Sequence, residues 1–287
     1  MKIGLLGTGL MGQAMALKLL EAKLPVIVYN RTESKLAPLR EAGVEIADSP
    51  MAAIKAADCL ILMLTDKAAI DSTILAEPAR SALKNKAIIQ MGTIAPEESK
   101  AIRDEVVAAE SEYLEAPVLG SIPEVKTGKL LVMVGATEQQ FNQYYELFQH
   151  FSPEPRHVGA VGTAAAIKLA LNQLIAGLTA TFALSLSFVR HEGVEVEQFM
   201  EILRPTVLYC PTFDKKLKRM LEGNFANPNF PTKHLLKDTN LFLNQAGEMG
   251  LNASSLAGVR AMVERAIALG FAEDDYSSLF AAINSEY

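Results

Sequence analysis

Residues 2–20 read KIGLLGTGLMGQAMALKLL and place four glycines at the junction between an apolar run and an amphipathic segment. Three of these glycines, Gly7, Gly9 and Gly12, have the spacing Gly-x-Gly-x-x-Gly. Glycine weakens the interior of regular structure, so its concentration at one junction indicates a backbone with little room for side chains. We interpret the stretch as a buried strand, a tight turn and the first turns of a helix.

The glycine spacing has a physical meaning when it follows a strand and opens a helix. Gly7 then allows the tight turn, Gly9 lets a pyrophosphate approach the backbone, and Gly12 lets the helix pack closely on the sheet. At the start of the helix, where Leu10 and Met11 lie, the pyrophosphate would meet free N–H groups and the positive end of the helix dipole. We predict dinucleotide binding at this turn. The alternative is a glycine-rich turn that holds no ligand.

Strand and helix signals alternate through the first half of the chain, which is typical of a parallel sheet covered by helices on both faces. Strands are predicted at 2–7, 26–30, 59–64, 87–92, 113–118, 129–134 and 156–158, and helices at 10–22, 33–42, 51–57, 96–109 and 138–151. Residues 119–128, LGSIPEVKTG, are predicted to be rich in turns.

After Gly162 the pattern changes, and no further strand is predicted. Helices are predicted at 163–190, 196–203, 212–221, 232–249, 254–268 and 277–283. The sequence therefore predicts an α/β Rossmann-type dinucleotide-binding domain at 1–162 and an all-α substrate and dimerisation domain at 163–287. The active site is expected in the cleft between the two domains.

The composition limits the class of protein. Hydrophobic residues make up 50% of the 287 residues, and the formal net charge is −6 with both signs interspersed. Such a chain is not expected to bind nucleic acid, which usually requires a basic stripe. Two cysteines, no signal-peptide pattern and apolar runs broken by polar residues predict a cytoplasmic protein without a membrane partner. No metal is expected, because the four histidines lack metal-ligand spacing: His150, His157, His191 and His234.

The end of the second predicted strand distinguishes the two nicotinamide dinucleotides. NAD sites usually place Asp or Glu there, where it accepts hydrogen bonds from the ribose hydroxyls. Here the strand ends in Asn30, followed by Arg31 and Thr32. Arg31 offers a permanently charged, planar group for a 2′-phosphate, and the Thr32 hydroxyl can add a hydrogen bond. We therefore predict NADP(H). The alternative makes Arg31 a solvated loop residue and Thr32 the N-cap of the next helix.

The helix predicted after Gly162 is apolar on almost all sides, which indicates burial. Lys168 and Asn172 are its first conspicuous polar residues, and their i, i+4 spacing places them on one face. Burial would favour the neutral form of the Lys168 amine and so suit acid–base catalysis. The alternative is a lysine that snorkels to solvent. The apolar helix also predicts a homo-oligomer, a dimer or tetramer, unless it simply forms the core of its own domain.

Four motifs in order resemble the β-hydroxyacid dehydrogenase family, which includes 3-hydroxyisobutyrate dehydrogenase, tartronate semialdehyde reductase and the glyoxylate/succinic semialdehyde reductases. The motifs are GLLGTGLMGQAMALKLL with NRT at the second strand, EAPVLGSIPEVKTGKL, GAVGTAAAIKLALNQL and KDTNLFLNQAGEMGL. The resemblance covers essentially the whole chain. It implies an NADP-dependent oxidoreductase that acts on hydroxyl or carbonyl groups.

The resemblance assigns roles to the positions that match these motifs. Lys168 stands at the family's catalytic lysine, and Asn172 stands at the asparagine that orients the substrate. Phe230 is expected to line the substrate pocket. The residues expected near the nicotinamide side of the cofactor are Leu64, Thr65, Thr93 and Lys237. Without the resemblance, Lys237 and Asp238 would be interpreted as an ordinary exposed pair on a helix.

One departure from the family pattern concerns the substrate carboxylate. The family usually reads Ala-Pro-Val-Ser-Gly, with the serine helping to hold that carboxylate, whereas this chain has Leu119 at the serine position. Ser121 or the backbone N–H groups of the turn at Gly120 are then expected to hold the carboxylate, or the substrate differs. Glu115 replaces the more usual aspartate, a change that is expected to matter little.

The resemblance therefore predicts an NADPH-dependent reductase of small aldehyde acids, with glyoxylate and succinic semialdehyde as the leading substrates. Lys168 would donate a proton to the carbonyl oxygen in reduction and accept one in the reverse reaction. Three alternatives stay open: an NAD(P)-dependent 3-hydroxyisobutyrate-type dehydrogenase, an imine reductase and a non-catalytic dinucleotide sensor. The sequence does not choose among the short aldehyde and hydroxy acids.

Overall fold

The computed structural model describes residues 1–284 and divides the chain into two compact units, Met1–Lys168 and Leu169–Tyr287. The strands, all in the first unit, are β1 (Ile3–Leu6), β2 (Val26–Tyr29), β3 (Glu45–Ile46), β4 (Cys59–Leu62), β5 (Ala87–Gln90), β6 (Glu112–Glu115), β7 (Val118–Leu119), β8 (Leu131–Gly135) and β9 (Arg156–Gly159). The helices that lie wholly in this unit are α1 (Leu10–Glu21), α2 (Ala37–Glu41), α3 (Pro50–Ala56), α4 (Lys67–Ile70), α5 (Pro96–Ala108), α6 (Ile122–Thr127) and α7 (Glu138–Gln149).

The strands of the first unit form one sheet in the order β3-β2-β1-β4-β5-β6-β8-β7, with β9 paired to β8. Strands β1 to β6 run parallel to one another, whereas β8 is antiparallel to both β6 and β7. The order 3-2-1-4-5-6 is that of a dinucleotide-binding fold. Ligands of such sheets lie at the carboxyl ends of the strands where the order reverses, here between β1 and β4.

Two hydrophobic clusters cover the two faces of this sheet, because successive side chains of a strand point to opposite faces. In β1, Ile3 and Leu5 belong to one cluster and Leu6 to the other. A Cβ at Gly4 would lie 2.6 Å from a methyl carbon of Leu60. Gly4, which is not part of the glycine spacing, is therefore explained by close packing against β4.

The second unit is helical, so the predicted fold class, a Rossmann-type α/β domain followed by an all-α region, is confirmed. Its helices are α8 (Thr163–His191), which begins in the first unit, α9 (Val196–Leu203), α10 (Pro211–Glu222), α11 (Thr232–Glu248), α12 (Ser254–Ala268) and α13 (Leu279–Ile283). Helices α8 and α13 contribute to both of its apolar clusters, one of which also includes α11 and α12 and the other α9 and α10. The second unit therefore packs around α8.

Residues 119–128 are more regular than predicted, because Ile122–Thr127 form the short helix α6. Glu124 Oε2 accepts the Ser121 N–H at 2.8 Å, as in a capping box. The Ser-x-x-Glu spacing is a sequence signal for this helix start. The segment was predicted to form turns instead, because Pro123 and Gly128 are both typical of turns.

The segment between β2 and β3 is less regular than predicted. A 3₁₀ turn at Glu33–Lys35 precedes α2, which starts at Ala37. Pro38 lacks an N–H, so it is tolerated only in the first turn of a helix and sets this later start. Strand β3 has only two residues and was not predicted, since so short a strand has no recognisable apolar run.

Helix α8 is long and apolar enough, by length and composition, to cross a membrane, contrary to the expectation that polar residues break every apolar run before it could span a bilayer. Within its most apolar window, 44% of the residues are buried inside the chain. The remaining apolar side chains include four that are exposed at the surface: Leu174, Leu178, Leu184 and Phe188. Helix α8 thus combines a buried core face with an exposed apolar face.

Candidate active site

The turn between β1 and α1 leaves no room for side chains at two of its glycines. Gly7 has φ +98°, a left-handed value that favours glycine, and a Cβ there would lie 2.4 Å from the Met63 carbonyl oxygen. A Cβ at Gly12 would lie 1.9 Å from the Gly7 carbonyl oxygen. Contacts within the chain therefore require both glycines, and α1 packs directly against the turn.

Gly9 has a different environment, because within residues 1–284 no atom other than those of its two chain neighbours lies within 4 Å of the position that its Cβ would take. Gly9 is the N-cap of α1 and has no side chain with which to bond the N–H groups of the first helical turn. These N–H groups belong to Leu10, Met11 and Gly12. Open space, unpaired donors and the positive end of the helix dipole together fit the pyrophosphate of a dinucleotide.

The loop after β4 lies against the same turn, and the loop after β5 lies against the loop after β4. The Met63 carbonyl oxygen abuts Gly7, and a Cβ at Gly92 would lie 2.6 Å from the Leu64 carbonyl oxygen. The segment with Leu64 and Thr65 therefore lies between the glycine turn and the segment with Thr93. Leu64 and Thr93 are half-buried, and Thr65 is exposed. The structure thus brings together the glycine turn and the three loop residues expected on the nicotinamide side.

Asn30 connects the end of β2 to the glycine turn. Its Oδ1 accepts the Thr8 N–H at 3.0 Å, and its Nδ2 donates to the Thr32 carbonyl oxygen at 3.0 Å. The Asn30 side chain therefore fixes the loop that carries Arg31 relative to the glycine turn. An acidic side chain could accept from Thr8 but could not donate to Thr32.

Arg31 and Thr32 are exposed beside this link. Across residues 1–284, Arg31 has no ion-pair partner, whereas the nearby Glu33 is paired with Arg40 at 2.5 Å. Thr32 is the N-cap of the 3₁₀ turn, but its hydroxyl makes no capping hydrogen bond. Both side chains are therefore accessible to an anion.

The turn before α6 contains the two predicted substrate residues Gly120 and Ser121. Gly120 has φ +128°, and a Cβ there would lie 2.6 Å from a methyl carbon of Leu130. The N–H and the hydroxyl of Ser121 both donate to Glu124 Oε2, at 2.8 and 2.7 Å. A carboxylate of the chain itself thus occupies the donors expected to hold a substrate carboxylate. Leu119, at the family's serine position, ends β7 and is half-buried.

Glu115, at the end of β6, is 1% exposed. Its Oε1 accepts the N–H groups of Gly162, Ala164 and Ala165 at 2.8, 2.8 and 3.2 Å. Its Oε2 accepts the hydroxyl of Ser99. Burial raises the pKa of the Glu115 carboxyl, and the hydrogen bonds from Ser99 and the three N–H groups oppose that rise. No role for Glu115 was predicted from the sequence, because the N–H groups that it accepts lie 47 to 50 residues further along the chain.

Lys168 lies in the second turn of α8 and is the last residue of the first unit. Its side chain is half-buried. Asn172 follows four residues later on the same helix, in the second unit, and is 3% exposed. The two residues predicted to act on the substrate therefore share α8, one turn apart.

Asn172 is held by an acidic residue of α11. Its Nδ2 donates to Asp238 Oδ2 at 2.6 Å, and Lys237 Nζ lies 2.8 Å from Asp238 Oδ1. Because a carboxylate only accepts, the nitrogen of the Asn172 amide is assigned to face Asp238. The opposite atom, Asn172 Oδ1, is buried and has no hydrogen-bond partner in the part of the chain described. A buried acceptor without a partner is uncommon and fits a ligand that carries a hydrogen-bond donor.

The burial of Asp238 shows that Lys237 and Asp238 are not an ordinary exposed pair, since Asp238 is 3% exposed. Asp238 shares the buried face of α11 with Leu235 and Thr239. The sequence contains a signal for this burial, because Asp238 stands at a position where the helical period places buried residues. A buried acid needs a polar partner.

Phe230 lies in the second unit, just before α11, and is half-buried. Its ring packs against Tyr276 with the ring centroids 5.7 Å apart. It also packs against the apolar cluster that contains Ala176, one turn beyond Asn172 on α8. Within residues 1–284, no group of three or more His, Cys, Asp and Glu side chains could hold a metal ion.

The strand order and the open, uncapped helix start after Gly9 define a dinucleotide-binding protein of the Rossmann class. Residues 2–162 match the family described as the NAD binding domain of 6-phosphogluconate dehydrogenase. Residues 162–283 match the family described as the NAD-binding region of NADP-dependent 3-hydroxyisobutyrate dehydrogenase. The chain belongs to the β-hydroxyacid dehydrogenase family of NAD(P)-dependent oxidoreductases, so the family resemblance of its motifs is confirmed.

Two curated relatives carry names for different roles. The chain is 28% identical over 280 residues to the cytokine-like nuclear factor N-PAC of Drosophila melanogaster, covering 96% of this chain and 46% of that protein. It is also 28% identical over 285 residues to glyoxylate/succinic semialdehyde reductase 1 of Arabidopsis thaliana, covering 99% and 98%. The chain thus spans about half the length of the first relative and nearly all of the second. Sequence identity to these two relatives therefore does not define the activity of this chain.

Solved structures share the fold. The 3-hydroxyisobutyrate dehydrogenase of Mycobacterium tuberculosis, solved with L-serine, has a TM-score of 0.88 at 20% identity, with 99% of each chain covered. An imine reductase of Myxococcus stipitatus, solved with NADP⁺, has a TM-score of 0.69 at 19% identity, covering 99% of this chain and 100% of that one. Because both enzymes have this fold, the fold alone does not distinguish carbonyl from imine reduction.

Proposed function

We propose that the chain is an NADP(H)-dependent reductase of small aldehyde acids. The observation that carries the proposal is the buried Asn172 amide, whose nitrogen is fixed by Asp238 and whose oxygen lacks a partner. Lys168 lies one helical turn earlier on α8. A fixed acceptor and a lysine on one helix suit a substrate oxygen that becomes a hydroxyl group.

The residues of the first unit fit an NADP(H) cofactor. Gly9 and the N–H groups of the first turn of α1 would hold the pyrophosphate. Arg31 and Thr32 would bind the 2′-phosphate, since both are exposed at the end of β2 and the nearby acid, Glu33, is paired with Arg40. By the family resemblance, the residues on the nicotinamide side are Leu64, Thr65, Thr93 and Lys237. When bound, the cofactor supplies a hydride for the carbonyl carbon.

The side chains of α8 and α11 would perform the acid–base chemistry. Lys168 donates a proton to the carbonyl oxygen in reduction, and the neutral amine accepts that proton in the reverse direction. Asn172 Oδ1 accepts a hydrogen bond from the resulting hydroxyl and so orients the substrate. Asp238 keeps the amide in that orientation through its 2.6 Å hydrogen bond.

The substrate class rests on the plant relative and on the motifs. The name of the Arabidopsis thaliana relative makes glyoxylate and succinic semialdehyde the first candidate substrates. The turn at Gly120 and Ser121 is the expected site for the substrate carboxylate, and Glu124 Oε2 accepts both donors of Ser121. A carboxylate that binds to Ser121 must displace Glu124, which is expected to weaken the binding of aldehyde acids. Phe230 supplies apolar surface for the rest of the substrate.

Particular residues bear on the three alternatives. Arg31 at the end of β2 disfavours the NAD-dependent form of a 3-hydroxyisobutyrate-type dehydrogenase, but not an NADP-dependent form. Imine reductases generally replace the lysine that stands here as Lys168. A non-catalytic dinucleotide sensor would not require Lys168 and Asn172 on α8, but the name of the N-PAC relative makes this alternative worth testing directly.

The experiment is a panel of short aldehyde and keto acids assayed with NADPH and with NADH, beside cyclic imines and neutral aldehydes. We expect turnover of at least one aldehyde acid, with kcat/KM for NADPH at least about tenfold above that for NADH, as a charged hydrogen bond to the 2′-phosphate predicts. Tight NADPH binding without turnover of any compound would contradict the proposal and favour the sensor.

A further inference from the structure

The first turn of α8 is anchored by a carboxylate that comes from the sheet. An α-helix leaves its first N–H groups without partners inside the helix. Here Glu115 Oε1 accepts the N–H groups of Ala164 and Ala165, in the first turn, and that of Gly162, just before it, at 2.8 to 3.2 Å. A negative charge at this end also interacts favourably with the helix dipole. One oxygen thus fixes the start of a 29-residue helix.

The carboxylate of Glu115 is itself held in place. Ser99 is fully buried and donates its hydroxyl to Oε2, and it also hydrogen-bonds the Tyr113 hydroxyl at 2.9 Å. On the other side, the missing side chain of Gly135 makes room, since a Cβ there would lie 2.5 Å from Glu115 Oε1. Residues from α5, β6 and β8 therefore form a closely fitted seat for this one side chain.

Lys168 lies three residues beyond Ala165, the last N–H that Glu115 accepts. Side chains of a helix lean toward its N-terminus, so the Lys168 side chain extends over the turn that Glu115 anchors. We infer that Glu115 is a positioning residue for Lys168. The carboxylate of Glu115 fixes the first turn of α8, and the position of that turn determines where the Lys168 amine lies relative to the substrate. The inference rests on the proposed function, in which Lys168 transfers the proton.

Two variants disturb the anchor in different ways. Glu115→Gln keeps the shape of the side chain and removes its charge. Gly135→Ala keeps the charge and pushes the carboxylate away from the N–H groups. Both should lower kcat at least about tenfold, since displacement of a catalytic group by an ångström can cost more than that. The dissociation constant for NADPH should stay within about twofold, because the glycine turn is separate from this seat.

Ser111→Ala is the matched control. It removes a buried hydroxyl that donates to the carbonyl oxygens of Leu83 and Lys86, and neither of these residues belongs to the seat of Glu115. The control should lower the melting temperature and keep kcat within about threefold of wild type, whereas a general effect of destabilisation would lower kcat in all three variants. If one anchor variant does not fold, the other still decides the outcome.

Hydrogen exchange of the amides at 162–168 provides a readout that needs no substrate. Faster exchange there in Glu115→Gln and Gly135→Ala, with the loss of kcat and unchanged NADPH binding, would support the inference. Unchanged exchange, or a kcat within about twofold of wild type, would overturn it. A wild-type protein that turns over no compound of the panel would instead contradict the proposed function, whatever the exchange shows.

Discussion

Glu124 Oε2 accepts both the N–H and the hydroxyl of Ser121, which are the donors expected to hold a substrate carboxylate. We predict that Glu124→Gln lowers KM for glyoxylate about fivefold, because like charges at such a half-exposed site repel by ~1 kcal/mol. KM for propanal, an uncharged aldehyde, should not change. Steady-state kinetics with both substrates measures this. An equal change of both KM values would show that Glu124 does not act through charge.

Arg31 is the exposed cation at the end of β2, and no carboxylate of the described chain pairs with it. We predict that Arg31→Ala raises KM for NADPH tenfold to a hundredfold and hardly changes KM for NADH, because a charged hydrogen bond is worth ~1.5–3 kcal/mol. Lys35→Ala, which removes another exposed cation in the following 3₁₀ turn, is the control and should have little effect. Equal use of NADPH and NADH by the unmodified protein would contradict this role.

At the scale of elements, the sequence predicted what depends on local patterns. The strand, turn and helix around Gly7, Gly9 and Gly12 follow from a spacing within a few residues, and α8 follows from its long apolar run. The sheet order agrees with the predicted α/β class because strands and helices alternate along the chain.

Contacts between distant residues could not be predicted in this way. The cap of α8 by Glu115 joins residues 47 to 50 positions apart, and the bond from Asn172 to Asp238 joins residues 66 positions apart. Ser121 shows a second reason why the site could not be predicted fully. The resemblance predicts that its hydroxyl binds the substrate, but in the structure the hydroxyl donates to Glu124, only three residues away.

At the scale of the whole molecule, we propose a homo-oligomer. The exposed face of α8 includes Leu184 and Phe188, which are 52% and 64% exposed, as well as Leu174 and Leu178. A row of large apolar side chains along one helix marks an interaction surface, and symmetric pairing is the commonest way for a soluble chain to cover it.

We predict that the double variant Leu184→Glu, Phe188→Glu is monomeric, because burial of two carboxylates in a subunit interface is unfavourable. Light scattering at micromolar concentration measures the mass of both proteins. The double variant Val207→Ser, Leu208→Ser is the control, since it removes exposed apolar side chains elsewhere in the second unit and should keep the wild-type mass. A wild-type protein of monomer mass would refute the proposed oligomer.

Proton transfer by Lys168 in carbonyl reduction can be tested with a single substitution. The kcat of Lys168→Ala is compared with wild type, beside an NADPH titration and a melting curve on the same preparation. We predict that kcat falls ~10²–10⁴-fold, the usual contribution of general acid–base catalysis. NADPH affinity and the melting temperature should change little, because the pyrophosphate is expected at the glycine turn and Lys168 is only half-buried. A folded variant that binds NADPH and retains more than about a tenth of the wild-type kcat would show that Lys168 does not transfer the proton.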